Sequence, residues 1–185
     1  MTDMMMSKGA IFSPCEKYRY LLWRIWDQSK PLLMMVMMNP STADAEANDP
    51  TVERCQRRAS QNGYGGLVVL NSMAYRSTDP SVLDDMPSGE RFGPDNADYL
   101  TRALDLAAAG AADVVCGWGE PGHRLAPYAW FSTQASRRKV TLWCLGKNRS
   151  GAPKHPLYVP YSKALEWLAG TNKWEAGEPV ARAKT

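Results

Sequence analysis

Four short runs, 32-LLMMVMM-38, 67-LVVLNSM-73, 113-DVVCGW-118 and 140-VTLWCL-145, are apolar at successive rather than alternating positions. That pattern predicts strands buried on both faces. The segments between them carry helical spacing. In 50-PTVERCQRRASQN-62, Val52, Cys55 and Arg58/Ala59 share a face and a proline occupies the first turn. Leu100, Leu104 and Ala107/Ala108 mark a second helix, and a third is expected through the 120s and 130s. Strands that alternate with helices imply a parallel sheet covered on both sides. The fold class expected is therefore α/β, a three-layer α/β/α sandwich around a central, mostly parallel four-stranded sheet.

The flanks are read with less regular patterns. In 18-YRYLLWRIW-26, Tyr18, Tyr20, Leu22 and Trp26 keep a period of two, and DQSKP beyond them forms a turn into 32–38. An N-terminal β-hairpin fits this stretch, and a short helix fits nearly as well. Proline, glycine and aspartate through 77–95 predict a long loop. A last helix is expected over 161–168, with residues 1–170 forming a single domain and 171–185 a flexible tail.

Composition changes this picture little. The chain has 185 residues, 44% of them hydrophobic, enough for one core without disulfides or metals. Its seven Trp and eight Tyr are a large stock of flat, amphipathic rings. Net charge is only +3, compatible with a polyanionic partner without requiring one. The cations are grouped: Lys147, Arg149 and Lys154 share one loop, Arg137, Arg138 and Lys139 precede a strand, and Arg54, Arg57 and Arg58 lie together. The four cysteines are far apart and form no C-x-x-C, so they are expected to be reduced, with no metal and no cofactor. No apolar stretch has signal-peptide or membrane-spanning length, so a cytoplasmic protein with no membrane partner is expected.

Candidate chemistry gathers at the strand ends, where ligands of such sheets bind. The ends read Asn39-Pro40-Ser41, Asn71-Ser72, Gly117-Trp118-Gly119 and Gly146-Lys147-Asn148, with His155, one of two histidines, close behind the last. GWGEPG (117–122) matches G-x-G-x-x-G in letters. It follows the third strand, however, and no acidic residue stands about 20 positions on, so a dinucleotide site is not expected. Walker-type, H-E-x-x-H and G-x-S-x-G patterns are absent, which removes support for nucleotide hydrolysis, zinc proteolysis and common serine hydrolysis.

The ordered set MMNPS (37–41), LVVLNSM (67–73), VVCGWG (114–119) and HPLY (155–158) resembles the uracil-DNA glycosylase superfamily across roughly residues 32 to 168. NPSTADA, NDPT, GYGG, GPDN and HPLY also resemble a family of small bacterial and phage proteins whose chemistry is unassigned. The glycosylase resemblance implies a metal-free, cofactor-free monofunctional DNA glycosylase acting on a flipped-out modified or damaged pyrimidine, such as a glucosylated hydroxymethylcytosine of phage DNA. By that resemblance Asn39 positions the attacking water, and Pro40 and Ser41 beside it are expected to bind the substrate. Likewise His155 donates to an oxygen of the departing base, and Asn71 reads the base edge. Tyr75 and Trp118 are the candidate stacking rings. Lys147, Arg149, Ser150 and Lys154 are the candidate phosphate grip, and Leu157 or Tyr158 the wedge that fills the gap in the duplex. The final loop lacks a Ser-Pro-Leu-Ser continuation, and Met38 stands where the superfamily has another residue. Two other readings stand beside this one: an N-glycosidase or base-transfer enzyme on free nucleosides or nucleotides, and a DNA-binding module without catalysis.

Overall fold

Successive residues of the apolar runs point to opposite sides of one sheet, and helices cover both sides. A computed structural model describes residues 7–125, 128–170 and 177–179. In chain order its elements are β1 (Ser7–Phe12), β2 (Arg19–Ile25), β3 (Leu32–Met37), α1 (Pro50–Gln61), β4 (Gly66–Asn71), α2 (Ser88–Phe92), α3 (Asn96–Ala108), β5 (Ala112–Cys116), α4 (Gly119–Leu125), α5 (Tyr128–Arg137), β6 (Thr141–Cys144) and β7 (Glu166–Gly170). Short 3-10 turns lie at Pro80–Leu83 and Pro156–Tyr158. The tail expected at 171–185 lies outside the described residues, apart from 177–179.

Among the described residues the sheet has seven strands in the order β1-β2-β4-β3-β5-β6-β7. The four strands expected from the apolar runs are its centre, β4-β3-β5-β6, and all neighbours within that block are parallel. β2 and β7 flank the block antiparallel, and β1 pairs with β2. The sheet is thus mixed and wider than the four strands expected. On one face Met34, Val36 and Val114 meet Leu100 and Leu104 of α3 and Phe131 of α5. On the other, Leu33, Met35 and Val115 meet Val52, Cys55 and Ala59 of α1. No helix among the described residues is long and apolar enough to cross a membrane.

Two expectations at the flanks are corrected. The N-terminal hairpin exists, but it joins β1 to β2, with Ser7 opposite Ile25, and not 18–26 to 32–38. β4 lies between β2 and β3, because 64–66 enters under the 27–31 turn. Trp26 and Asp27 both donate to the Gly65 carbonyl at 2.9 Å, and a Cβ on Gly65 would meet Asp27 O at 1.8 Å. Only glycine allows that approach. The helix expected over 161–168 is instead an irregular stretch followed by β7, antiparallel to β6. Arg58 donates to the carbonyls of Val159, Pro160, Tyr161 and Lys163, which holds this stretch on an irregular path against α1. The long loop at 77–95 is also more ordered than expected: it contains the first 3-10 turn and α2, pinned by the fully buried Leu83.

β3 carries β4 on one side and β5 on the other, so the chain reverses its direction of travel across the sheet at this strand. The loops leaving β3 and β5 diverge there and open a crevice at the carboxyl ends of the strands.

Candidate functional site

At that switch point lies a cleft of about 640 Å³. Its β3 wall is Met37, Met38, Asn39 and Ser41; its β5 wall is Trp118, Gly119 and Glu120. Asp49 and Thr51 at the start of α1, and Lys154, His155, Leu157 and Tyr158 of the loop packed on that helix, complete the lining. Sequence-expected residues 39, 41, 118, 154, 155, 157 and 158 therefore share one cavity, although they come from three separate strand ends.

Asn39 is held with a defined orientation. Its Nδ2 donates to the carbonyls of Pro40 (3.1 Å) and Ser77 (2.9 Å). Two acceptors around the nitrogen fix which end of the amide is which, so Oδ1 is the atom presented as an acceptor. Pro40 is buried and does not line the cleft; its carbonyl also takes the Ser77 N–H at 3.0 Å and so shapes the turn that holds Asn39.

His155 is oriented by the opposite kind of bond. It precedes the 3-10 turn at Pro156–Tyr158, and its Nδ1 accepts the Leu157 N–H in a long contact of 3.4 Å. A ring that accepts at Nδ1 carries its neutral-form proton on Nε2. Burial lowers its pKa from the ordinary 6.5, opposed by the negative charge of Asp49, so the ring is neutral at pH 7. The site thus holds a fixed acceptor, Asn39 Oδ1, and a fixed donor, His155 Nε2–H.

The loop bearing His155 is clamped from α1. Arg54 donates to the carbonyls of Pro156 (3.2 Å) and Val159 (2.8 Å), and its guanidinium stacks 4.4 Å from the Tyr161 ring centre. Arg58, 3% exposed, adds bonds to Val159 and Pro160 at 3.0 and 2.8 Å. These two arginines of the central basic cluster are internal struts, not a solvated cationic face. Gly117 serves the same packing, since a Cβ there would meet Pro156 Cδ at 3.0 Å. The first glycine of GWGEPG thus lets the histidine loop lie against the end of β5, while the last, Gly122, makes room for Trp118 and Met38.

Other expected residues fall elsewhere. Asn71 is 1% exposed and lies outside the cleft lining, behind Arg19, whose Nη2 donates to its Oδ1 at 3.3 Å. Tyr75 packs edge-on against Tyr18 at 5.8 Å, also outside the lining. Trp118 is 2% exposed with its ring edge-to-face on Tyr128, so it lines the cleft without offering a free face for stacking. Lys147 reaches the other way, 5.3 Å from the Trp167 ring centre, and Arg149 is exposed on the loop without lining the cleft. Ser150 donates to both Glu120 carboxylate oxygens at 2.7 and 2.8 Å, tying the loop to α4. Tyr158, by contrast, is 81% exposed at the rim, 5.8 Å from the His155 ring.

Three lining residues carry chemistry that the strand ends did not signal. Asp49 caps α1 by accepting the Val52 N–H at 2.8 Å through Oδ1. The proline in the first turn signalled the helix start, but not that the start faces a cleft. Glu120, in the first turn of α4, lines the same cleft. Arg19 is 1% exposed, with Nη1 donating to Ala43 O at 2.7 Å, and burial pulls its pKa down to about 10, leaving it charged at pH 7. Its only sequence signal is an arginine inside an aromatic strand.

The family described as protein of unknown function, DUF1643, matches residues 19–157, most of the chain, and the chain belongs to that family. The matched segment begins at the cleft-floor arginine and ends at Leu157 on the rim. Comparison with curated proteins and with solved structures returns no match.

Proposed function

We propose that this family member is a monofunctional DNA N-glycosylase, related to the uracil-DNA glycosylase superfamily, that hydrolyses the bond between deoxyribose and a flipped-out modified pyrimidine. One observation carries the reading. Asn39 Oδ1 and His155 Nε2–H, an acceptor and a donor each fixed by backbone groups, line one cleft at the switch point of the sheet. N-glycosidic hydrolysis needs that pair, because it develops positive charge on the sugar and negative charge on the base.

In this reading water, held by Asn39 Oδ1, attacks C1′ while the C–N bond breaks and its electron pair leaves with the base. His155 Nε2–H donates to a base oxygen as negative charge develops there. A carboxamide cannot take the proton that the water loses; Asp49, a carboxylate lining the same cleft, can. The volume of about 640 Å³ falls in the range that accepts whole drug-sized ligands, so a pyrimidine with a bulky substituent, such as a glucosylated hydroxymethyl group, has room. Such a target would place the enzyme in defence against phage with modified DNA. Lys154 on the rim supplies a phosphate contact, and the exposed Tyr158 ring is the wedge.

The test is to incubate the protein with oligonucleotides bearing a panel of modified pyrimidines, and with phage DNA, and to score abasic sites. Sites formed by the wild type and lost in Asn39→Ala and His155→Ala support the reading; none on any substrate contradicts it. A second reading, a glycosidase of free nucleosides or nucleotides, is favoured by the charge balance of the lining, with Arg19 and Lys154 set against Asp49 and Glu120. It expects turnover without DNA and little dependence on salt.

A further inference from the structure

The turn that orients Asn39 is fastened from outside the cleft. Ser77 gives Asn39 one of the two carbonyls that fix its amide, and the Ser77 N–H donates in turn to Pro40 O at 3.0 Å. Upstream, Ala74 and Tyr75 donate to the carbonyls of Phe92 and Arg91 at the end of α2. Arg76, between the two, is tied instead to the turn that joins β1 to β2. Its N–H donates to Lys17 O at 2.9 Å and its Nη1 to Glu16 O at 3.0 Å, while its guanidinium carbon lies 4.7 Å from the Phe12 ring centre. Tyr18 and Tyr75 add an isolated bridge, with their rings edge to face at 5.8 Å. That turn is a firm anchor. Buried Ser13 closes it, its N–H donating to Tyr18 O at 3.0 Å and its Oγ accepting the Tyr18 N–H at 3.2 Å. Glu16 within it sits at φ 56°, in the left-handed region that residues with a Cβ seldom adopt. Arg76 itself does not line the cleft, so whatever it does for the site it does through other groups.

We propose that Arg76 is a positioning residue for Asn39, fastening the 75–77 segment to the β1–β2 turn so that the Ser77 carbonyl stays where it fixes the amide. Without that carbonyl, Nδ2 keeps only Pro40 O, from the next residue in the chain, and the amide is free to turn. The effect on base release rests on the glycosylase reading, in which Asn39 Oδ1 holds the attacking water; the effect on the amide itself does not. β1 lines no part of the cleft, and the fastening gives it a share in the site: Phe12, its last residue, is the platform against which the guanidinium packs. Arg76 also places a positive charge near Arg19 and Asp44. Phe12→Leu separates fastening from charge, because it removes the ring and leaves every charge in place.

Two readouts are taken on the full chain. One is hydrogen exchange of the Asn39 side-chain amide by NMR, its signal assigned by its loss in Asn39→Ala; the other is base release from modified DNA, as kcat and KM. Arg76→Ala and Phe12→Leu, singly and together, are compared with wild type and with Arg57→Ala, which removes an exposed arginine paired with Glu53. In Arg76→Ala the Asn39 amide should exchange about threefold faster or more while the protein stays folded. Its kcat should fall about five- to tenfold, with KM within about twofold of wild type. Phe12→Leu should move both readouts the same way by less, and add little to Arg76→Ala in the double variant. Arg57→Ala should match wild type. A lower melting temperature in Arg76→Ala with the amide exchange of the folded protein unchanged would overturn the proposal. So would a Phe12→Leu that matches wild type beside an impaired Arg76→Ala, since charge is then the cause. If Arg76→Ala does not fold, Phe12→Leu decides alone, and unchanged exchange in it counts against the fastening. Faster exchange with undiminished release keeps the fastening and removes Asn39 from the reaction. A wild type that releases no base removes the glycosylase reading alone, and the amide exchange still judges Arg76.

Discussion

At the scale of single residues, the account depends on which atoms Asn39, His155 and Asp49 present. Asn39→Ala removes the acceptor that holds water and should lower base release about 10²- to 10³-fold, the range for a preorganised polar group at a reacting centre. Asp49→Asn is more discriminating, because asparagine caps a helix as well as aspartate does but takes no proton. It should leave the melting temperature within a degree or two and lower base release by about 10²-fold or more; unchanged release would remove Asp49 from the reaction. His155 yields a pH expectation. Burial lowers its pKa in the folded protein, so just below pH 6.5 the unfolded chain binds a proton that the folded chain does not. Stability therefore falls as pH drops through the window from 6.5 to the folded value, while a rate that needs the neutral ring is retained until that value is passed. Denaturation midpoints of wild type and His155→Gln across this range check the sign: the wild type should lose more stability than the variant as pH falls. Asn39 and His155 were legible in the sequence because each ends or follows an apolar run. Arg19 was not, since a pattern of alternation cannot say which face of a strand will meet a cleft assembled from other loops.

At the scale of elements, the histidine loop has no regular structure of its own and is held by α1. Arg54 and Arg58 bind four successive or near-successive carbonyls after Pro156, so the helix serves as the loop's scaffold. Arg54→Ala leaves the Pro156 carbonyl and part of the Val159 bonding unserved. It should cost about 1–3 kcal/mol of stability. It should also lower base release by up to about 10²-fold through misplacement of His155, which itself is unchanged. Arg57→Ala, on the exposed face with Glu53, should change neither. Parallel activity and urea denaturation curves separate these outcomes. The same clamp bears on 161–168, which reads as helix and folds otherwise: local propensity cannot register that Tyr161 and Lys163 will be held by an arginine about 100 residues away. The central strands and α1 and α3 were legible because burial on both faces, or on one stripe, leaves a local pattern. The partner of β2 was not, because strand order depends on the close approach of Gly65.

At the scale of the whole molecule, the seven described strands carry the cleft at the carboxyl ends of the central ones, and the antiparallel flanks do more than extend the sheet. β2 brings Arg19 to the cleft floor, and β7 draws Lys147 away from the rim toward Trp167. The proposed phosphate grip is consequently thinner than the cationic loop suggested, with Lys154 as its cleft-lining member. Substrate affinity on DNA should then weaken with salt by a slope corresponding to only a few phosphates, and Lys154→Ala should reduce that slope by about one. Tyr158→Ala should slow release from duplex more than from single strands, where no gap needs filling. The most direct measurement is base release from defined DNA. A duplex carrying one glucosylated hydroxymethylcytosine, and its unmodified control, are incubated with wild type, Asn39→Ala and His155→Ala, and abasic sites are scored by alkaline cleavage. The account expects strand breaks at the modified position with wild type only; breaks with neither substrate across a full panel of modified pyrimidines, or equal breaks with all three proteins, would contradict it.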